Sequence, residues 1–220
     1  MMELNRQIDY TLLKPSATER NIIDLCEEAK QHQFYSVCVN SCFVPLAHQI
    51  LEGSSVKVCS TVGFPQGAMS TEAKAFEAKK AVEDGADEIE MVINIGFLKS
   101  RNYFRVLKDI SDVKTTIGDI PLVVILEISE LSKNEIILAS EICLDAKADF
   151  IKTSTGFSKS GATLTAVKII KKTIREKAKI KASGEIRDYD SALKFIDAGA
   201  SGISSSFSVD ILNTKSETVA

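Results

Sequence analysis

Histidine is nearly absent from this chain: two residues, His32 and His48, in 220. Both fall in segments that read as helical, away from any other metal-type ligand, which removes most histidine-based catalysis and His-rich zinc sites. Cysteine is sparse as well. The five (Cys26, Cys38, Cys42, Cys59, Cys143) are odd in number, lie mostly inside apolar segments and form no C-x-x-C pair. They read as reduced thiols packed as small hydrophobes, so neither a disulfide framework nor a zinc site is signalled. No apolar run approaches the roughly 20 residues needed to span a bilayer. Residues 1–10 carry Glu3, Arg6 and Asp9 where a signal peptide needs an apolar stretch. A cytoplasmic protein with no membrane partner is expected. The net charge of −3 lacks the basic surplus that nucleic acid demands, so no nucleic-acid partner is expected either. No Pro/Gly/Ser-rich linker divides the chain, and residues 1–220 are read as a single domain. Catalysis, if present, is left to lysine, carboxylate or hydroxyl groups.

What the chain does have is alternation. With 45% hydrophobic and 26% charged residues it is an ordinary globular composition. Short β-rich runs predict strands over 8–12, 35–39, 56–62, 88–93, 122–127, 150–153, 180–182 and 202–204. Between them lie apolar stripes of helical spacing: Ile22, Leu25, Cys26, Ala29; Ala139, Ile142, Cys143, Ala146; and Tyr189, Ala192, Leu193, Ile196. A last, short helix is expected after Ser206. An internal echo marks the helix ends before strands: Asp84-Gly85-Ala86-Asp87, Asp145-Ala146-Lys147-Ala148-Asp149 and Asp197-Ala198-Gly199-Ala200-Ser201. Gly85 and Gly199 suit the left-handed position after a helix, and Lys147 stands where that pattern favours glycine. An open doubly wound sheet would also alternate in this way. Eight βα units in 220 residues favour closure into a (β/α)₈ TIM barrel.

In such a barrel the site lies at the C-terminal ends of the strands. There the sixth predicted strand ends in Lys152 and the seventh carries Lys181, so two lysines are expected in one mouth. Two neighbouring ammonium groups repel, which would drive one neutral and make it a nucleophile towards carbonyls. A lysine that merely snorkels to a carboxylate such as Glu127 is equally open on these residues. Glu88 and Glu90 share one side of the fourth strand by alternation, and Asp9 on the first is the other acid placed to point inward. Glu90 or its neighbour could shuttle protons, or serve only as an ion-pair partner. Thr155-Gly156, Ser183-Gly184-Glu185-Ile186-Arg187 and Ser204-Ser205-Ser206 lie in loops whose backbone N–H groups fit a phosphate cradle, although such loops also cap helices without a ligand.

Phe150-Ile151-Lys152-Thr153-Ser154-Thr155-Gly156-Phe157 resembles the Schiff-base segment of the deoxyribose-phosphate aldolases. The resemblance runs nearly end to end, through Ile8 to Pro15, Val37 to Asn40, Thr61 to Pro65, Gly85 to Gly96, Lys181 to Gly184 and Ile203 to Ser206. It implies a class I barrel aldolase without metal or organic cofactor, often homodimeric. Such an enzyme cleaves 2-deoxy-D-ribose 5-phosphate to D-glyceraldehyde 3-phosphate and acetaldehyde, reversibly. By that resemblance Lys152 forms the Schiff base, Lys181 lowers its pKa, and the acid/base aspartate falls on Glu90. With Asp9 these make the candidate catalytic set. Thr155, Gly156, Ser183, Gly184, Glu185, Ser205 and Ser206 make the candidate substrate-binding set.

The chain departs from the family pattern in several places. Glu90 stands for aspartate, Glu185 for a phosphate-loop glycine, Gly202-Ile203-Ser204 for an arginine-isoleucine-glycine run, and Phe207 for a small hydroxyl residue. The C-terminal tyrosine that some members use as a proton relay is absent from the tail, Glu217-Thr218-Val219-Ala220. A weakened grip on phosphate is expected. Two other readings follow: an aldolase for another small aldehyde or a non-phosphorylated sugar, and a catalytically silent barrel that binds a ligand or partner.

Overall fold

The computed structural model of the protein describes residues 3–214. Among these, eight parallel strands close in chain order: β1 Ile8–Leu12, β2 Ser36–Asn40, β3 Lys57–Val62, β4 Glu88–Val92, β5 Leu122–Ile125, β6 Phe150–Lys152, β7 Lys179–Ser183 and β8 Gly202–Ser205. Closure is made by β1 against β8, with Ile8 opposite Ile203. This is the (β/α)₈ barrel, and the open sheet is overturned. Strand ends shift by up to two residues from the predicted ones. Glu127 leaves β5 altogether, because its φ of 56° turns the backbone out of the sheet.

The helices between the strands are α1 Glu19–His32, α2 Val44–Leu51, α3 Thr71–Glu83, α4 Ile95–Lys99, α5 Tyr103–Ile117, α6 Lys133–Asp145, α7 Leu164–Ile174, α8 Tyr189–Asp197 and the short α9 Ser208–Asn213. Their starts follow sequence chemistry. Thr18 and Asn21 form a reciprocal capping box at α1, and Ser132 and Glu135 form one at α6. The predicted stripe of α1 is buried, as are Ala139, Ile142 and Cys143 of α6. On α8 the expectation fails at Leu193, which is exposed; Ala192 is buried and Phe195 and Ile196 pack against the core instead. Leu193 and Phe195 both follow helical spacing, so packing chose the rotation.

The echo before the strands has a physical purpose. Asp87 accepts a hydrogen bond from the Val58 amide at 2.8 Å, and Asp149 accepts one from the Leu122 amide at 2.9 Å. Each acid thus satisfies a strand-opening N–H on the neighbouring strand. Lys147 does adopt the left-handed conformation, with φ 60°, at a cost of about 1–2 kcal/mol. No helix of the described residues is long and apolar enough to cross a membrane.

Candidate active site

Parallel pairing puts laterally matched residues on one side of the sheet, so the barrel interior can be read from the register. Lys152 matches Lys181, Asp9 matches both Ser36 and Ser204, and Cys38 matches Cys59. All of these side chains are buried, together with Glu88 and Glu90 of β4. Three carboxylates and two lysines therefore share an interior that excludes water.

They sort into two groups. Lys152 Nζ donates to Glu90 Oε2 at 2.6 Å, and the Cys38 thiol donates to the same oxygen at 3.4 Å. Lys181 bonds Glu88 and lies 3.1 Å from Asp9 Oδ2. Asp9 is further held by the Ser36 hydroxyl at 2.6 Å and the Ser204 hydroxyl at 2.9 Å. The Lys181 ammonium also sits 4.9 Å from the Phe150 ring and 5.3 Å from the Tyr35 ring. Only Lys152 of the two lysines lines the cavity at the mouth, about 400 Å³ in volume. The expectation of two lysines side by side in one mouth is thereby corrected: Lys181 is turned into the barrel by its carboxylates and aromatic rings.

Electrostatics change accordingly. Burial pushes the Lys152 amine towards neutrality, but Glu90, with Asp9 behind it, outweighs burial and holds its pKa above the ordinary lysine range. Lys181 is likewise opposed by burial and lifted well above that range by Asp9 and Glu88. Repulsion between the lysines does not leave Lys152 neutral at rest. Burial raises Glu88, with the Lys181 charge opposing it, as expected where three carboxylates face two ammonium groups. One oxygen of Glu88 and one of Glu90 have no hydrogen-bond partner.

The mouth loops use their hydroxyls for each other. The Thr155 hydroxyl donates to Glu127 and accepts from the Phe157 amide at 3.0 Å. Glu127 is thus a loop clamp and pairs with neither barrel lysine. Ser183 Oγ accepts from the Ser154 amide at 3.1 Å and donates to the Ser154 carbonyl. Ser205 Oγ donates to the Ile186 carbonyl at 2.7 Å and accepts from the Phe207 amide at 3.0 Å. The backbone amides of Gly156, Gly184, Glu185 and Ser206 make no hydrogen bond to the described residues. The loops after β6 and β7 touch at Gly161, where an added Cβ would lie 2.3 Å from the Gly184 carbonyl oxygen, so only glycine permits the approach.

Of the departures, Ser204 is reassigned: its hydroxyl points to Asp9 inside the barrel. Glu185 and Phe207 do line the cavity. Glu185 holds the backbone of the missing glycine, φ 62°, with its carboxylate exposed. Arg187, also a lining residue, stacks its guanidinium 4.8 Å from the Phe207 ring. The missing C-terminal tyrosine falls in the tail, outside the described residues. Sequence reasoning placed Arg187 in the mouth loop without giving it a role and missed Ser36; a lone serine in the apolar β2 run, in register with Asp9, was the available signal for the latter.

A closed barrel with a dry lysine–carboxylate pair at the C-terminal end of its strands has the layout of a barrel aldolase. The chain belongs to the DeoC/LacD family of aldolases, whose profile matches residues 7–207. It is 51% identical over 211 residues to the deoxyribose-phosphate aldolase of Finegoldia magna, covering 96% of this chain and 99% of that one. Its identity to the deoxyribose-phosphate aldolase of Mycoplasma capricolum is 48% over 211 residues, covering 96% and 95%. Among solved structures, the aldolase QR15 superposes with a TM-score of 0.93 at 39% identity, over 97% of this chain and 96% of that one.

Proposed function

We propose that this protein is a deoxyribose-phosphate aldolase in which Lys152 forms the Schiff base and Glu90 moves the protons. The observation that carries the reading is the 2.6 Å contact between Lys152 and Glu90 at the one point where the charged interior opens on the cavity. The resting lysine is an ammonium, so its nucleophilic form arises by passing a proton along that contact to Glu90. The free amine then adds to the C1 carbonyl of 2-deoxy-D-ribose 5-phosphate, and loss of water gives the protonated Schiff base. This cation draws in the electrons of the C2–C3 bond while a base removes the C3 hydroxyl proton. D-Glyceraldehyde 3-phosphate departs, the enamine takes a proton at C2, and hydrolysis releases acetaldehyde and the amine. Glu90, already in contact with the nitrogen, is placed for these transfers. Lys181, its register neighbour, pairs with Glu88 and Asp9 and leaves Glu90 as the carboxylate in contact with Lys152. The free amides of the three mouth loops, with Arg187 beside them, supply the phosphate grip. No metal or organic cofactor enters these steps. A cytoplasmic homodimer is part of the same reading.

Incubating the folded protein with acetaldehyde and borohydride tests this directly. A reduced two-carbon adduct on the peptide containing Lys152 is expected. Folded protein with no adduct there would leave only the silent, ligand-binding barrel.

A second reading, for acceptors without phosphate, is favoured by Glu185 and Phe207: a carboxylate and an aromatic ring occupy the rim where a dianion would dock. Comparing cleavage of deoxyribose 5-phosphate with that of free deoxyribose separates the two readings.

A further inference from the structure

Cys38 on β2 and Cys59 on β3 are register partners, both fully buried, and with Leu13 and Phe64 they form a small cluster apart from the main core. Their two sulfurs and a Glu90 carboxylate oxygen all lie within 4.8 Å of one another. We propose that Cys38, Cys59 and Glu90 bind a thiophilic divalent cation of the zinc class, and that its occupancy stops the aldolase reaction by taking Glu90 away from Lys152. The inhibition half rests on the role given to Glu90 above; the binding half does not.

The geometry suits the ion. Ligand bonds of about 2.3 Å to sulfur and 2.0 Å to oxygen in a tetrahedron place sulfur and oxygen about 3.5 Å apart. Cys38 Sγ and Glu90 Oε2 already stand at 3.4 Å. The two sulfurs lie within 4.8 Å of each other, and the same tetrahedron would draw them to about 3.8 Å. Glu90 Oε1 has no hydrogen-bond partner, which leaves the carboxylate free to turn towards a metal. Lys152, which donates to Glu90, lines the cavity, so the buried ligand set lies one side chain in from the mouth. Charge is conserved as well. Binding brings two positive charges and releases two thiol protons to solvent, so the centre, with Glu90 and Lys152 counted, keeps its charge. Burial therefore imposes no added net charge on the barrel.

The test uses chelator-stripped protein titrated with zinc against a chromophoric chelator, with retro-aldol activity and proton release followed in parallel. One ion per chain, two protons released, and loss of activity reversed by chelator are expected. Cys59→Ser should keep basal activity and raise the inhibiting zinc concentration at least tenfold; Cys59→Val, which refills the apolar pocket, covers a folding failure of the serine variant. Cys42→Ser, which removes the exposed thiol, should change nothing. Equal zinc sensitivity in the wild type and both Cys59 variants overturns the proposal, as does the absence of stoichiometric binding. Cys59-dependent binding with activity intact would leave the site standing and overturn the role given to Glu90.

Discussion

Two buried lysines in this barrel each hold a carboxylate at 2.6 Å: Lys74 with Asp109, and Lys152 with Glu90. Lys74 is surrounded by completed bonds. It also donates to the Val92 carbonyl at 2.9 Å, and Asp109 accepts a second bond from Thr71 at 2.8 Å. Burial wins there, and with one carboxylate opposing it the Lys74 pKa ends below the ordinary value. At Lys152 several acids share the interior, burial loses and the pKa ends above it. The second pair also opens on a cavity and leaves a carboxylate oxygen unpartnered. Equal distances therefore conceal opposite purposes. A lysine tied on all sides holds two helices and a strand, whereas Lys152, tied on a single side, is the one we propose releases its proton and reacts.

The widest separation between the pairs should come from Lys152→Met and Lys74→Met. The first is expected to abolish the acetaldehyde–borohydride adduct and the retro-aldol reaction while the protein stays folded. An adduct of undiminished yield on another lysine would break the comparison. Glu90→Gln should then lower kcat/KM by about 10²–10⁴-fold, and also change its pH dependence. In the wild type the proton moves within the pair, so kcat/KM should stay level across neutral pH. Without Glu90, Lys152 loses its nearest carboxylate and its pKa falls. Its proton must leave to solvent, and the rate should climb as pH rises through the lowered pKa. A level profile in the variant would remove Glu90 from the proton path.

For Lys74→Met the effect belongs to stability. Removing one partner of a buried pair costs about 3–5 kcal/mol, which denaturant unfolding should report, with adduct formation at Lys152 intact in the folded fraction. A loss below about 1 kcal/mol would mean that the Lys74–Asp109 pair does not hold the fold together. Glu185→Gly carries the smallest expected effect. It relieves a left-handed side chain and should stabilise by about 1–2 kcal/mol, while shifting preference from free deoxyribose towards the 5-phosphate. A strong preference for phosphate already present, and unchanged by the substitution, would sink the idea that Glu185 weakens the phosphate grip.

Much of this molecule is legible in its sequence. Alternating strand and helix periods give the barrel because they are set by local backbone geometry, and the place of Lys152 at a strand end follows from period and fold together. The helix stripes are readable where apolar residues outnumber the alternatives, as on α1, and ambiguous where they do not, as at Leu193 and Phe195 on α8.

Which lysine faces the cavity is a different kind of fact. Lys152 and Lys181 are laterally matched, and nothing local distinguishes them. Their separation depends on Glu88, Asp9 and two aromatic rings brought from other strands. The same holds for Ser204, a departure from the family pattern in the linear chain and a ligand of Asp9 in the fold. It holds too for Cys38, Cys59 and Glu90, which share no spacing motif because their elements are three successive strands. The sequence by itself determined the barrel, the candidate reactive residue types and the loops that ring the mouth, since these rest on periodicity and short motifs. The tertiary structure decided which charges meet, because ion pairing and burial act between atoms that only closure of the barrel brings together.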